Sequence, residues 1–139
     1  GDGLSVRIEG KSLRLLNRDS ASLYIATIRS ILESYYVVLR VCTVLRSRPL
    51  TEGDLCASSL NLGRRMFLTE DVTRPEAASK ANLTNAVRHF RAKGVFLAED
   101  GSGDRDALLR LDESMRERYL APIRRLFLSK WQDQEGEES

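Results

Sequence analysis

One apolar pattern between residues 19 and 49 constrains the fold more than any other feature of the sequence. Apolar side chains recur there at three- and four-residue steps, the spacing of a helix face: Leu23, Ile28, Ile31, Leu32, Tyr35, Val38, Leu39, Cys42 and Leu45. Asp19 or Ser20 can cap the first turn, and Pro49 ends the helix. From Tyr35 onward the helix is apolar on nearly all sides. This half is therefore predicted to lie in the middle of the fold.

Two further helices are predicted after Pro49. Thr51 begins the first, with Asp54 three residues later as a weak capping box, and this helix ends near Thr69. Thr73 and Glu76 form a second capping-box signal, before a helical segment that stops at Gly94. The pattern leaves open whether residues 74–93 form one helix or a short turn followed by a helix.

Short alternating segments predict two β-hairpins. Residues 4–18 alternate apolar and polar side chains around a turn at residues 9–11, and residues 95–97 and 107–111 flank a loop that contains two glycines. A last helical region begins at Asp112 or Ser114, and Pro122 is expected to kink or restart it.

The element order indicates the fold class. Three helices followed by a two-stranded hairpin is the order of a winged-helix unit, so we expect a mainly α fold with a winged-helix-like arrangement and one or two small β-hairpins. The length of 139 residues fits one domain. We expect that domain to cover residues 1–131, with an N-terminal hairpin or linker at 1–18, a helical core at 19–131 that includes a hairpin at 95–111, and a flexible acidic tail at 132–139.

No residue pattern indicates a catalytic centre, a cofactor site or a metal site. The single histidine, His89, has basic neighbours in the sequence and is read as an exposed or half-buried helical residue. Cys42 and Cys56 are expected to be reduced and mostly buried, because neither belongs to a metal-binding pair. Gly101-Ser102-Gly103 is read as a hairpin turn. We therefore expect no catalytic, metal-ligating or cofactor-binding residue and no cofactor.

The winged-helix order raises the hypothesis of DNA binding through the helix that ends at Gly94. Its polar candidates for groove contacts are Lys80, Asn82, Thr84, Asn85, Arg88 and Arg91. Against this stands the predicted wing, where Glu99, Asp100, Asp104 and Asp106 face only Arg105. Acidic side chains repel phosphates, and the net charge of the chain is only +2. Nucleic acid is therefore not expected as a partner.

The last helical region combines cations with bulky apolar residues. Arg124, Arg125 and Lys130 alternate there with apolar residues that include Leu126 and Trp131. This composition suits an anionic lipid surface, although the apolar residues are more simply explained as closing the core. The sequence contains neither a signal peptide nor a segment long enough to span a membrane.

Five short motifs occur in an order that is typical of one enzyme family. They lie at residues 33–36 (ESYY), 65–67 (RMF), 75–80 (PEAASK), 85–90 (NAVRHF) and 94–96 (GVF). With the apolar helix that follows the first motif, they resemble the C-terminal region of the glycerol-3-phosphate and dihydroxyacetone-phosphate acyltransferases. The resemblance covers roughly residues 20–98, more than half of the chain.

The resemblance implies a parent enzyme that transfers an acyl group from acyl-CoA or acyl carrier protein to the sn-1 hydroxyl of a triose phosphate, in phospholipid biosynthesis. It also implies that the catalytic His and Asp lie in an upstream domain, because the fifth position after His89 is Gly94 and no His-x4-Asp motif is present. The expected role is then a non-catalytic C-terminal accessory domain that packs on the catalytic domain of the same parent chain, peripherally on the cytoplasmic side of a membrane.

The surface expected to meet the catalytic domain or the lipid consists of six residues: Arg88, Arg91, Arg124, Arg125, Lys130 and Trp131. The alternative function is a winged-helix module that binds DNA or another protein.

Overall fold

Helices dominate the computed structural model, which describes the backbone of residues 4–8, 11–15 and 18–138 and the side chains of residues 23 and 25–126. The helices are α1 (Arg18–Val41), α2 (Glu52–Leu68), α3 (Lys80–Ala92) and α4 (Glu113–Glu138). Two antiparallel hairpins pair β1 (Leu4–Ile8) with β2 (Lys11–Leu15), and β3 (Phe96–Ala98) with β4 (Leu109–Leu111). This order confirms the mainly α, winged-helix-like fold. The predicted turn at residues 9–11 lies partly outside the described residues.

The second part of α1 lies at the centre of the fold, as the sequence predicted. Val37, Val38 and Leu39 are completely buried, and α1 packs against α2, α3 and α4. The α-helix is shorter than predicted, because it tightens at Val41 into a 3-10 segment, Cys42–Arg46. At this transition the Leu39 carbonyl accepts hydrogen bonds from Arg116 Nε at 2.8 Å and Cys42 Sγ at 3.1 Å.

Helix α2 begins with the capping box that the sequence indicated. The Thr51 hydroxyl accepts from the Asp54 N–H at 3.2 Å, and the Thr51 N–H donates to the Asp54 carboxylate at 3.4 Å. These two bonds satisfy N–H groups that have no partner within the helix. The helix ends at Leu68, close to the predicted limit at Thr69.

The second predicted capping box is wrong. The backbone N–H and the hydroxyl of Thr73 both donate to the Glu33 carboxylate, at 2.6 and 2.7 Å. Glu33 is only 1% exposed, so its charge requires donors from inside the protein, and Thr73 supplies them. A 3-10 turn, Pro75–Ala78, follows, and Ser79 then caps α3 by accepting from the Asn82 N–H at 3.2 Å. The alternative of a short turn followed by a helix is therefore the correct one.

The hairpin after α3 has the arrangement of a winged-helix wing. Gly94 ends α3 with φ 81°, a left-handed conformation that suits glycine, as predicted. The Leu109 N–H donates to the Leu50 carbonyl at 2.8 Å, so the α1–α2 connection forms a bridge beside β4. We call residues 96–111 the wing.

Helix α4 is longer than the sequence indicated. Asp112 caps it by accepting from the Met115 N–H at 3.0 Å, and Pro122 lies inside the helix, which it does not restart. The backbone remains helical to Glu138, beyond the predicted end at residue 131. Flexibility of the tail stays a prediction.

Two charged contacts attach the beginning of α4 to the end of α1. Arg46 pairs through two guanidinium nitrogens with the Glu113 carboxylate, and this pair holds the pKa of Glu113 below its usual range. Arg116, 9% exposed, donates to the Leu39 carbonyl. Beside it, burial raises the pKa of the Cys42 thiol to about 11, so this thiol is neutral at physiological pH.

Candidate interaction surfaces

A groove separates the exposed sides of α2 and α3 and has a volume of about 570 Å3. Cys56, Ala57 and Leu60 of α2 form its apolar part. Lys80, Thr84 and Arg88 of α3 form the opposite wall. We call this feature the α2–α3 groove.

The α3 wall of the groove is basic. Lys80, Thr84 and Arg88 follow one another at four-residue steps, which places them on one face of the helix. Neither Lys80 nor Arg88 forms an ion pair with any side chain that the structure describes. Thr84 lies beside Cys56, and burial raises the pKa of the Cys56 thiol. The α3 side of the groove therefore carries two cations without a described ion-pair partner, and Cys56, Ala57 and Leu60 on the α2 side carry no charge, while Glu52, Arg105 and Asp106 add charges to the rest of the lining.

The guanidinium of Arg91 makes its contacts within the domain. It lies 3.4 Å from the Glu52 carboxylate and donates to the carbonyls of Ser102 at 3.1 Å and Asp104 at 2.8 Å. The Arg91 side chain is only 13% exposed. Arg91 thus holds the wing against α3, and the structure does not present its donors to a partner, in contrast to those of Arg88.

The wing is acidic, as the sequence indicated. Glu99 pairs with Arg110 at 2.7 Å, whereas Asp100, Asp104 and Asp106 are exposed. Asp100 accepts from the Ser102 N–H at 2.9 Å, and this hydrogen bond lowers the pKa of Asp100. The carboxylate of Asp100 therefore stays charged next to α3.

His89 is a packing residue. Its ring stacks on Tyr35 with centroids 4.9 Å apart and planes within 5°, and it meets Phe90 edge-on at 5.2 Å. Partial burial, followed by the nearby charge of Lys93, lowers the pKa of His89. The contacts described for this ring are aromatic, in agreement with the half-buried role predicted from the sequence.

The cations of α4 lie on an exposed side of the helix. Arg124 is 3.9 Å from Glu117, Arg125 Nε donates to the Ala121 carbonyl at 3.4 Å, and Leu126 is exposed beside them. Leu120 and Ile123 are instead buried and close the core. The side chains of Lys130 and Trp131 lie outside those described. No described contact joins this α4 surface to the Arg88 side of α3.

The largest unexpected feature is on α1. Leu23 is 71% exposed, Ile25 60%, Ile28 41% and Ile31 39%, although three of the four belong to the same predicted pattern as the core residues. Ile25, Ile28 and Ile31 lie on one broad side, since three-residue steps differ by only about 60° around the helix axis. We call residues 18–31 the amino-terminal half of α1.

Two hydroxyl groups described on this half donate to carbonyls of the same helix. The Thr27 hydroxyl donates to the Leu23 carbonyl at 2.9 Å, and the Ser30 hydroxyl donates to the Ala26 carbonyl at 3.0 Å. Between residues 20 and 32, Arg29 is the only charged residue. Covering a surface with so few charged groups removes little favourable hydration of charge.

The described residues offer neither a membrane span nor a cluster of metal ligands. None of their helices has the length and apolarity that a membrane span requires. They also contain no group of three or more potential metal ligands.

The fold defines the class of the protein: a mainly α, winged-helix-like domain. A family model described as "Glycerol-3-phosphate acyltransferase C-terminal region" matches residues 2–99, well over half of the chain. The chain belongs to that family. The match includes the first hairpin, α1, α2, α3 and β3. No curated protein and no solved structure gives a significant match.

Proposed function

We propose that this chain is the accessory C-terminal domain of a glycerol-3-phosphate or dihydroxyacetone-phosphate O-acyltransferase, and that it packs on the catalytic domain of the same parent chain without contributing a catalytic group. Membership of the family supports a parent with an upstream region. In this proposal the parent acts in phospholipid biosynthesis, transfers its acyl group from acyl-CoA or acyl carrier protein, and lies peripherally on the cytoplasmic side of a membrane.

The observation that carries the proposal is the amino-terminal half of α1. Four large apolar side chains are exposed there, and Arg29 is the only charge in thirteen consecutive residues, 20–32. Burial of apolar surface contributes about 25 cal/mol per Å2, so a partner that covered this side would gain affinity with few charges to desolvate. Contiguous exposed apolar surface of this kind marks interaction sites.

The upstream region of the parent is the partner that fits best. In the described part of the chain, β2 is the last strand before α1. Residues that precede this domain in a parent chain would therefore reach the amino-terminal half of α1 first. A tethered partner binds at a high effective concentration, so a modest apolar contact is sufficient.

The experiment replaces Ile25, Ile28 and Ile31 together by Gln in the intact parent enzyme. Gln is a good helix former, so the change removes apolar surface and leaves the helix in place. We expect the domain to separate from the catalytic region after limited proteolysis, and acyl transfer to glycerol 3-phosphate to fall with it. The readouts are co-migration of the two fragments in size-exclusion chromatography and the rate of acylation.

The matched control replaces Leu97 and Leu108 of the wing by Gln; these two leucines are 52% and 45% exposed. This control removes apolar surface of the same kind from a different element, and both readouts should be unchanged. If the α1 variant kept its fragments together and kept full activity, packing through α1 would be contradicted.

A further inference from the structure

We propose that the α2–α3 groove binds an acidic peptide segment of a partner protein, in which two carboxylates four residues apart flank an apolar residue. The site uses residues of α2, α3 and the wing, and it is independent of the proposed packing through α1.

The charges along the groove are the first argument. Lys80 and Arg88 have no ion-pair partner among the described side chains. Arg105 adds a third cation at the rim; it is 71% exposed and lies 4.0 Å from Glu52. The charge of Glu52 is already met by Arg91 at 3.4 Å. The α3 wall is therefore positively charged, and neither Lys80 nor Arg88 is paired with a described carboxylate.

A negatively charged side chain lies at one end of the groove. Asp106 of the wing belongs to its lining. The ligand must therefore carry its negative charge at separate positions beside α3 and be neutral or basic near the wing. A peptide meets this requirement better than a uniformly charged polymer does.

The spacing of the two cations is the second argument. Lys80 and Arg88 are eight residues apart in α3, which corresponds to about 12 Å along the helix axis. In an extended peptide, side chains four residues apart are about 13 Å apart and point to the same side. Two acidic side chains with this separation can therefore meet Lys80 and Arg88 at the same time.

The middle of the groove accounts for the residue between the carboxylates. The side chain two positions after the first carboxylate points to the same face of an extended peptide. On the α3 wall this face meets Thr84, between the two cations, and the neighbouring Cys56 thiol, whose pKa burial raises, adds apolar surface from the α2 side.

Phosphate ligands fit the same residues less well. A single phosphate is too small to meet two cations whose helix positions are about 12 Å apart. A nucleic acid presents a charge at every phosphate, and it would be repelled by the exposed Asp100, Asp104 and Asp106 of the neighbouring wing. The acidic wing therefore selects for a ligand with few, well-spaced charges.

The test uses the 139-residue chain and a fluorescein-labelled peptide of nine residues, with Glu at its third and seventh positions, Leu at its fifth, and Gly, Ser and Ala elsewhere. We expect a saturable rise in anisotropy at low salt. Replacing Lys80 and Arg88 together by Gln should weaken binding roughly fivefold to thirtyfold, since two partly exposed charge pairs are lost. A peptide with Gln at positions three and seven should weaken binding to a similar extent.

The matched control is the pair Arg64→Gln and Arg65→Gln. Both residues are exposed on α2 and lie outside the groove lining, and the change removes the same net charge. This control should bind the acidic peptide as the unmodified chain does. A variant with reversed charges shows whether a loss of binding is due to misfolding. Lys80→Glu with Arg88→Glu should no longer bind the acidic peptide and should bind a peptide with Lys at positions three and seven.

Three results would overturn the proposal. The first is no saturable binding of the acidic peptide at low salt. The second is an equal loss of affinity in the groove pair and in the control pair, which would reduce the effect to net charge. The third is tighter binding of a labelled DNA duplex or of inorganic phosphate that is lost in the groove pair, which would identify a phosphate site.

Discussion

The two halves of α1 carry one continuous apolar pattern, but they have different surroundings. In the carboxyl-terminal half, Val37, Val38 and Leu39 are fully buried by α2, α3 and α4. In the amino-terminal half, Ile25 and Ile28 are 60% and 41% exposed. A periodic pattern therefore predicts that a segment is helical, but it does not reveal whether its apolar side is buried within the domain.

The largest expected effect compares a core residue with an exposed one. Leu39→Ala should lower the free energy of unfolding by about 2–5 kcal/mol, because it leaves a cavity at a completely buried position. Ile28→Ala should change it by no more than about 0.5 kcal/mol in the isolated chain, since this side chain is largely exposed. Urea unfolding followed by circular dichroism measures both. Similar losses in the two variants would mean that both halves are packed within the domain.

Glu33 marks the boundary between the two halves. Glu33→Ala should lower the free energy of unfolding by about 1.5–3 kcal/mol, because Thr73 loses two hydrogen bonds to a buried carboxylate. Glu33→Gln keeps the side-chain volume and one acceptor oxygen, so its loss should be smaller. If Glu33→Ala and the unmodified chain had equal urea midpoints, Glu33 would not stabilise the connection between α2 and α3.

The cationic surface of α4 gives a third, smaller effect in the parent enzyme. Arg124→Glu together with Arg125→Glu should reduce recovery of the parent with anionic vesicles, since each cation near such a surface contributes about 1 kcal/mol. The measurement is sedimentation with vesicles that contain anionic lipid, with Arg64→Glu and Arg65→Glu as the control of equal charge. Unchanged recovery and unchanged acylation would show that this surface contacts neither the lipid nor the catalytic domain.

The smallest effect concerns pH. The pKa of His89 is lowered in the folded chain, so between that value and about 6.5 the unfolded chain binds more protons than the folded one. The contribution of neutral His89 is therefore present above about pH 6.5 and is lost as the pH falls. His89→Phe keeps a ring against Tyr35 and removes the titration. Urea midpoints at pH 7.5 and 5.5 should differ less in His89→Phe than in the unmodified chain, and equal differences would contradict the account.

Most of the fold could be predicted from local signals. The caps at Thr51 and Asp112 and the stop at Gly94 all depend on neighbouring residues, and each is observed. The failure at Thr73 has a different origin. Its hydroxyl had an equally good local role as a cap, but the partner that it meets is Glu33, forty residues away, which only the folded chain brings close.

The candidate surfaces were predictable only in part. Arg88 and Arg91 were both assigned to a partner surface from the sequence, and this role stays a prediction for each. The structure separates their surroundings, because Arg88 is exposed whereas Arg91 donates to carbonyls of the wing. No sequence signal distinguishes these two positions, because both are arginines of one helix three residues apart. The α2 side of the groove, with Cys56, Ala57 and Leu60, comes from another helix. The scarcity of charge between residues 20 and 32 is the one signal that could have indicated the α1 surface.

The central claim is that the parent enzyme covers the amino-terminal half of α1, and hydrogen exchange tests it most directly. Amide exchange of residues 23–31 should be fast in the isolated chain relative to residues 37–41, because fewer contacts protect it. In the intact parent, the amides of residues 23–31 should become protected, while those of residues 96–111 in the wing should not change. Equal exchange of residues 23–31 in the isolated chain and in the parent would contradict the account.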